Sequence, residues 1–300
     1  MEEQAQVRPP EWILELAASR PFGEGDRRGT VNLIDDAARA RAAASVRTGQ
    51  TISLARPLRA GDYNATLERP GFAHEIHYHP TPDGMGWGTD HLVLDPHGLM
   101  NTHIDALNHV ALNGTYYGGR PYDSPEQGSV DALAPHGLVA RAVFVDIPAL
   151  RGTGWADTPV TGRDIDGALD AAGLTFEPGD ALCLDMGRDR FETASGHILG
   201  GPESDDDAGG GLSSDGARWV AEHAVSMLAW DMLDSRDAKA TRASAHVLTW
   251  AIGLLLVDNC DFAALRAALG GGTQIAGALV VAPLVVEGAN GVNLNPIVLR

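Results

Sequence analysis

Cysteine is close to absent, with two in 300 residues, and this excludes a disulfide framework or a zinc ribbon. Cys183 lies in Ala181-Leu182-Cys183-Leu184, and Cys260 follows the aliphatic run that ends at Val257, so both read as core. No histidine flanks either closely, which speaks against a nucleophilic role. Positive charge is short as well. Against 40 Asp+Glu stand 22 Lys+Arg, for a formal net charge of -18 and a pI near 4.8, which argues against nucleic acid or an anionic membrane as a partner. A secretory leader needs a basic end and an apolar run, whereas residues 1–12 hold Glu2, Glu3 and paired prolines. The longest nearly apolar run, 247–257, includes Thr249 and is far shorter than the roughly 20 residues a bilayer requires. The expectation is a soluble, cytoplasmic protein acting on small molecules. No stretch reads as a linker or a repeat. Residues 1–300 are expected to form a single domain, with 1–21 as an N-terminal extension and the acidic, glycine-rich 200–211 as a flexible surface loop.

After a looser N-terminal third, strands and helices alternate. The segments 139–147, 180–186, 225–230, 253–257 and 278–286 are short, aliphatic and bounded by Gly, Pro or Asp, as buried strands should be. Helices fit between them. Thr161 can cap 164–172, which ends at Gly173; Ser213 or Ser214 can cap 215–224; Asp261 can cap 262–269, which ends at Gly270. Alternation of this kind implies an α/β layer architecture.

Chemistry concentrates in Thr102-His103-Ile104-Asp105-Ala106-Leu107-Asn108-His109. Each histidine alone reads most simply as a hydrogen-bonded core or surface group. Two imidazoles and a carboxylate in one short run are harder to bury idle, because unpaired polar groups lose several kcal/mol of hydration. His103 and Asp105 are two apart, so an extended segment points both to one side, where they can grip one ion. His109, four residues beyond Asp105, comes over the same spot if the chain turns there, free to act as acid or base. A second group, His74, His77 and His79 with Glu75, alternates as a strand would. Its His77/His79/Glu75 face is either a pocket wall or an ordinary solvent-facing edge.

The His103 run resembles the motif H-x-G-T-H-x-D-x-P-x-H of the cyclase family, which includes bacterial kynurenine formamidase and isatin hydrolase. Thr102, His103, Asp105 and His109 fall at their expected places, while Leu99, Asn101 and Leu107 replace the first His, the Gly and the Pro. The family's second motif, a His followed twelve residues later by Glu, is matched by His246 and Asp258. Gly25-Asp26-Arg27-Arg28-Gly29-Thr30-Val31-Asn32-Leu33 and Asn113-Gly114-Thr115-Tyr116-Tyr117-Gly118-Gly119 are similar to segments of its larger, roughly 300-residue branch. The resemblance implies a swivelling β/β/α fold, a mixed central β-structure flanked by helices, and assembly as a homo-oligomer. It implies a divalent metal, zinc or manganese, on His103, Asp105, His246 and Asp258. His97, two residues before the lost ligand position, is expected to line the substrate pocket rather than to replace that ligand fully. Trp87 and Tyr116 flank the motif and are expected to stack on a substrate ring.

The activity implied is hydrolysis of a C–N bond in a small cyclic or aryl amide, with His109 and Asp105 as the catalytic acid–base groups. The departures at Leu99 and Asp258 leave a second reading open. A single-metal or metal-independent cyclase, dehydratase or isomerase would work on a polyketide-like metabolite by proton transfer alone. A non-catalytic binder is the third.

Overall fold

The computed structural model describes residues 8–123, 128–199 and 209–300. Apart from 209–211, the expected acidic loop lies outside the described residues, as do the first seven residues of the expected extension. The strands that build and support the site are, in chain order, β1 (Thr51–Ser53), β2 (Phe72–Pro80), β3 (Gly86–Leu94), β4 (His103–Asp105), β5 (Leu138–Asp146), β6 (Ala181–Asp185), β7 (Met227–Trp230), β8 (Leu255–Asp258), β9 (Gln274–Val281), β10 (Gly291–Asn293) and β11 (Ile297–Leu299).

One mixed sheet runs in the order β1-β11-β9-β5-β6-β7-β8-β4-β10. Its centre, β5 to β8, is parallel. These strands are apolar on both faces because both faces are covered. Val143, Val145, Leu182, Leu184, Leu228, Trp230 and Leu256 pack with the helices Gly162–Ala172, Ser214–Glu222 and Ala245–Ile252. Phe144, Cys183, Met227, Ala229 and Val257 pack with Phe262, Leu265, Leu279 and Val298 in the other layer. Both cysteines are buried there, and burial pushes the Cys183 thiol up to about 12. Antiparallel strands close the sheet on each side: β9, β11 and β1 beyond β5, and β4 and β10 beyond β8.

The caps form largely where the sequence puts them. Thr161 and Asp164 make a reciprocal capping box and Gly173 ends that helix in the left-handed region; Ser213 accepts from the Gly216 N–H. The last helix starts one residue later than expected, at Ala263, with the Asp261 carboxylate accepting from the Ala263 N–H at 3.0 Å. The expected strand 278–286 is displaced toward the N-terminus. It pairs with β5 from Gln274 and stops at Val281 ahead of Pro283, which has no N–H to continue a ladder, so Leu284, Val285 and Val286 are exposed.

The N-terminal region is less peripheral than its sequence suggests. Helix Glu11–Ser19 buries Ile13 completely among the side chains that include Val247 and Leu248, so the expected extension is a working part of the domain. Strands β2 and β3 form a two-stranded hairpin paired from Phe72↔Leu94 to Pro80↔Gly86. His77, His79 and Glu75 do share a face of it, as the alternation requires, but that face is open to solvent. No helix among the described residues is long and apolar enough to cross a membrane.

Candidate metal centre

The site lies where β4 crosses the carboxyl end of β8. Antiparallel pairing sets Asp258 opposite His103 and Leu256 opposite Asp105, and β10 on the other side sets Gly291 opposite Asp105. Because side chains alternate along a strand, His103 and Asp105 face the same way, toward Asp258.

Asp105 is the centre of the constellation and is fully buried. Its Oδ1 lies 3.4 Å from His103 Nε2 and 3.5 Å from His97 Nε2; its Oδ2 lies 3.6 Å from His109 Nε2 and 3.9 Å from His246 Nε2. Neither oxygen has a hydrogen-bond partner among the described residues. A buried carboxylate normally collects donors. Here four imidazole nitrogens converge on it without bonding it, which is the arrangement of groups waiting for a cation. Two sets of ligand atoms lie close enough to share an ion, His97/Asp105/His109 and His103/Asp105/Asp258, with Asp105 common to both.

His97 lines the cavity as expected, and its ring nitrogen also falls in one of these two sets. Two glycines set its place. Gly98 turns the chain after it at φ +102, where a Cβ would meet Asn64, and a Cβ on Gly291 would meet His97 Nε2 at 2.4 Å. The ring then stacks on His109 at 4.2 Å and meets His103 edge-on at 5.3 Å. Burial and the neighbouring His109 push His97 down to about 4, against the pull of Asp105, so its ring is neutral at neutral pH.

The remaining histidines are oriented by partners that the motif does not name. His103 Nδ1 lies 2.8 Å from the Asn101 carbonyl, which leaves Nε2 aimed at Asp105. His246 Nδ1 lies 2.5 Å from Asp234 Oδ2 and its Nε2 lies 3.2 Å from Asp258 Oδ2. Asp234 also accepts from the Ala245 N–H at 2.8 Å, tying the ring to the start of its own helix. The Trp230 indole donates to Asp258 Oδ1 at 2.5 Å. Burial alone would lower His246, but Asp234 and then Asp258 raise it well above the usual histidine range; His103 is raised in the same way by Asp105 and Asp258. Asp234 and Trp230 escaped the sequence reading. The usable signal was their place just past, or at, the carboxyl end of a parallel strand, where ligands gather in α/β sheets.

A cavity of about 580 Å³ opens over these groups, lined by Leu99, Val110, Leu112, Leu233 and Val247 together with His97, His103, His109, His246 and Asp258. Trp87 does not reach it. That residue sits on the hairpin, 59% exposed, stacked on His79. Tyr116 is buried beneath the site with Leu107 and Tyr117, where it packs and does not face the cavity.

A family model described as "Putative cyclase" matches residues 42–235. The chain belongs to that family. No curated protein matches the sequence. The cyclase-family chain is similar to a crystal structure described as a novel cyclase, at 22% identity and a TM-score of 0.81, over 98% of this chain and 100% of the other. It is also similar to isatin hydrolase A of Ralstonia solanacearum (19% identity, TM-score 0.61, 83% and 90% of the two chains). Isatin hydrolase A of Labrenzia aggregata bound to benzyl benzoate compares at 18% identity and TM-score 0.59, over 86% and 96%. These are likenesses of fold: a mixed central sheet flanked by helices, as the sequence implied.

The Asp234–His246 contact has a measurable consequence in this cyclase-family site. Asp234→Asn should weaken zinc binding by about 10–100-fold, the usual cost of losing a partner that orients a ligand, with the far-UV spectrum unchanged. Titration with a chromophoric chelator as competitor reads the change, and an affinity equal to wild type would remove Asp234 from the centre.

Proposed function

We propose that this protein is a metal-dependent hydrolase that cleaves a C–N bond in a small cyclic or aryl amide. The observation that carries the reading is Asp105, buried and unbonded between four imidazoles that all line one cavity. His103, Asp105 and Asp258 would hold a divalent ion, zinc or manganese; His246, with Nε2 3.2 Å from Asp258 Oδ2, would join them, and His97, 3.5 Å from Asp105 Oδ1, would add the nitrogen that Leu99 lacks. When bound, such an ion polarises a carbonyl and lowers the pKa of water toward ~7.

The chain's own residues do the rest. His109 Nε2 takes the proton of the attacking water and returns it to the leaving nitrogen, and Asp105 beside it stabilises the imidazolium formed between those events. Asp234 fixes the His246 tautomer, with Nδ1–H donating and Nε2 facing the centre. Leu99, Val110 and Leu112 exclude water around an apolar ring. Family membership and the isatin hydrolase fold support an enzyme acting on such a ring. The exposed Ile76, Tyr78 and Leu92 on one face of the hairpin, uncovered by this chain, support a homo-oligomer, since a lone two-stranded hairpin is marginal in water.

One feature favours a second reading. Asp234, His246 and Asp258 form a continuous hydrogen-bonded chain of the kind that moves protons. On that reading His109 and Asp105 work as an acid–base pair on a cyclisation, dehydration or isomerisation substrate.

Elemental analysis of untagged protein beside His103→Ala separates the two. About one equivalent or more of zinc or manganese, lost in the variant, supports the hydrolase; no bound metal even after supplementation ends it. Proton release is the second readout. Asp234 and Asp258 raise the proton affinity of His246 well above the usual histidine range, and Asp105 and Asp258 raise that of His103 in the same direction, so a proton held there must leave before either nitrogen can become a ligand. Zinc binding near pH 7 should release about one to two protons and tighten as pH rises from about 6 to about 8. Titration calorimetry in buffers of different ionisation enthalpy measures it, and a buffer-independent heat would refute the assignment of these two ligands.

A further inference from the structure

The wall of the cavity carries positive charge in a protein that is otherwise short of it. The sequence contains a single lysine, Lys239, and that lysine lines the cavity beside Arg242. Both belong to the helix Arg236–Thr241 and its C-terminal cap, the segment that leads directly into His246. Both side chains are exposed, and among the described residues no carboxylate pairs with either. The Arg242 guanidinium meets only the Lys239 carbonyl, at 3.3 Å.

The backbone at Arg242 makes the choice of residue informative. It sits in the left-handed region at φ 56, where a side chain is disfavoured and glycine is not. The chain uses glycine at the equivalent helix end at Gly152, Gly173, Gly196, Gly253 and Gly270, and a second arginine, Arg20, away from the cavity. A cation at a helix C-terminus is favourable on its own account, but that explains the sign of the charge and not its place on the cavity wall. Electrostatics point the same way. At a net charge of -18 the molecule as a whole repels anions. Salt confines exposed charges to about 8 Å, so two unpaired cations at the mouth set the potential that an incoming ligand meets there.

We infer that Lys239 and Arg242 read an anionic substituent, carboxylate or phosphate, on the small molecule bound in this cavity. The substrate class is thereby narrowed to acidic ring compounds. The inference rests on the reading of the cavity as a small-molecule site, but not on the metal. The planar fork of Arg242 suits two oxygens of one anionic group, and Lys239 supplies a mobile point charge beside it.

The test uses anthranilate, its neutral isostere anthranilamide, and phenyl phosphate as competitor, titrated by fluorescence into metal-loaded and chelator-treated protein. Wild type should prefer anthranilate over anthranilamide by about fivefold or more, the sum of two exposed charge contacts, and should lose that preference between about 0.05 and about 0.5 M NaCl. The double variant Lys239→Met/Arg242→Met should bind both probes equally, and Lys239→Arg should keep the preference. Binding of phenyl phosphate as tight as that of anthranilate points to phosphate as readily as to carboxylate; weaker competition points to carboxylate. A second readout exploits the sole lysine: anthranilate, and not anthranilamide, should protect Lys239 from reductive methylation read by peptide mass. A wild-type preference under about twofold, failure of anthranilate to bind, or a preference that survives in the double variant overturns the inference. Preference retained after chelation upholds it even where the metal reading has failed.

Discussion

Asp105→Asn is expected to abolish the metal capacity of the site and reduce turnover to background while the protein stays folded. Both candidate ligand sets contain Asp105, and no other carboxylate is shared between them. An amide of nearly identical shape leaves the packing alone but offers a neutral oxygen and an NH2 group, which cannot balance a dication. Losing an outer-shell partner costs about 10–100-fold in metal affinity, so loss of the central ligand should exceed about 10³-fold, or ~4 kcal/mol. The metal-free variant should also lose stability. Burial alone would raise the Asp105 carboxyl, but the imidazoles of His109, His103 and His246 hold it below the ordinary carboxylate range. A depressed folded-state value contributes stability that is present above the unfolded pKa of about 3.9 and is lost as pH falls through the folded one. The gap between wild type and Asp105→Asn should therefore be full at neutral pH and begin to close below about pH 4. Zinc affinity of the variant within about tenfold of wild type would show that Asp105 is not the hub.

The second large effect belongs to a residue outside the cavity. Arg188 is fully buried, and its guanidinium donates to Glu192 Oε1 at 2.8 Å, Asn259 Oδ1 at 2.8 Å, the Leu99 carbonyl at 2.5 Å and the Leu199 carbonyl at 2.9 Å. Asn259 in turn donates to the carbonyls of Gly98 and Asn101 at 2.7 and 3.0 Å. The loop that carries His97 and leads into His103 hangs from these two side chains. Burial, then the charge of Arg56, pushes Arg188 down to about 10, which leaves it charged at neutral pH. Arg188→Met strips donors from buried acceptors and leaves Glu192 only Arg56 and the Leu199 N–H among its described partners. The expected loss is about 3–5 kcal/mol, on the order of 10 °C in Tm. Arg188→Lys should recover little, because a point charge cannot span acceptors that a planar fork reaches. If the network only supported the fold, metal affinity per folded molecule would be unchanged. If it positions the ligands, affinity falls too. A stability loss under about 1 kcal/mol would mean that water replaces the guanidinium.

Local order determined what the sequence disclosed. A spacing of two placed His103 and Asp105 on one face, alternating aliphatic segments marked the parallel strands, and Thr161 with Asp164 and Gly173 bounded a helix before any fold was known. Matches at Thr102, His103, Asp105, His109 and His246 pointed to the family. The first three depend on neighbours within a turn or a pleat, where the period of the chain dictates direction, whereas the family matches are a resemblance of motifs. The tertiary structure decided the rest. Pairing of β4 with β8 brought Asp258 opposite His103, the glycines at 98 and 291 admitted His97, and strand ends delivered Asp234 and Trp230. It also withdrew Trp87 to an exposed hairpin, buried Tyr116, and set Lys239 and Arg242 beside the cavity. Register and close approach are fixed by contacts between residues far apart in the chain, and no local period encodes them.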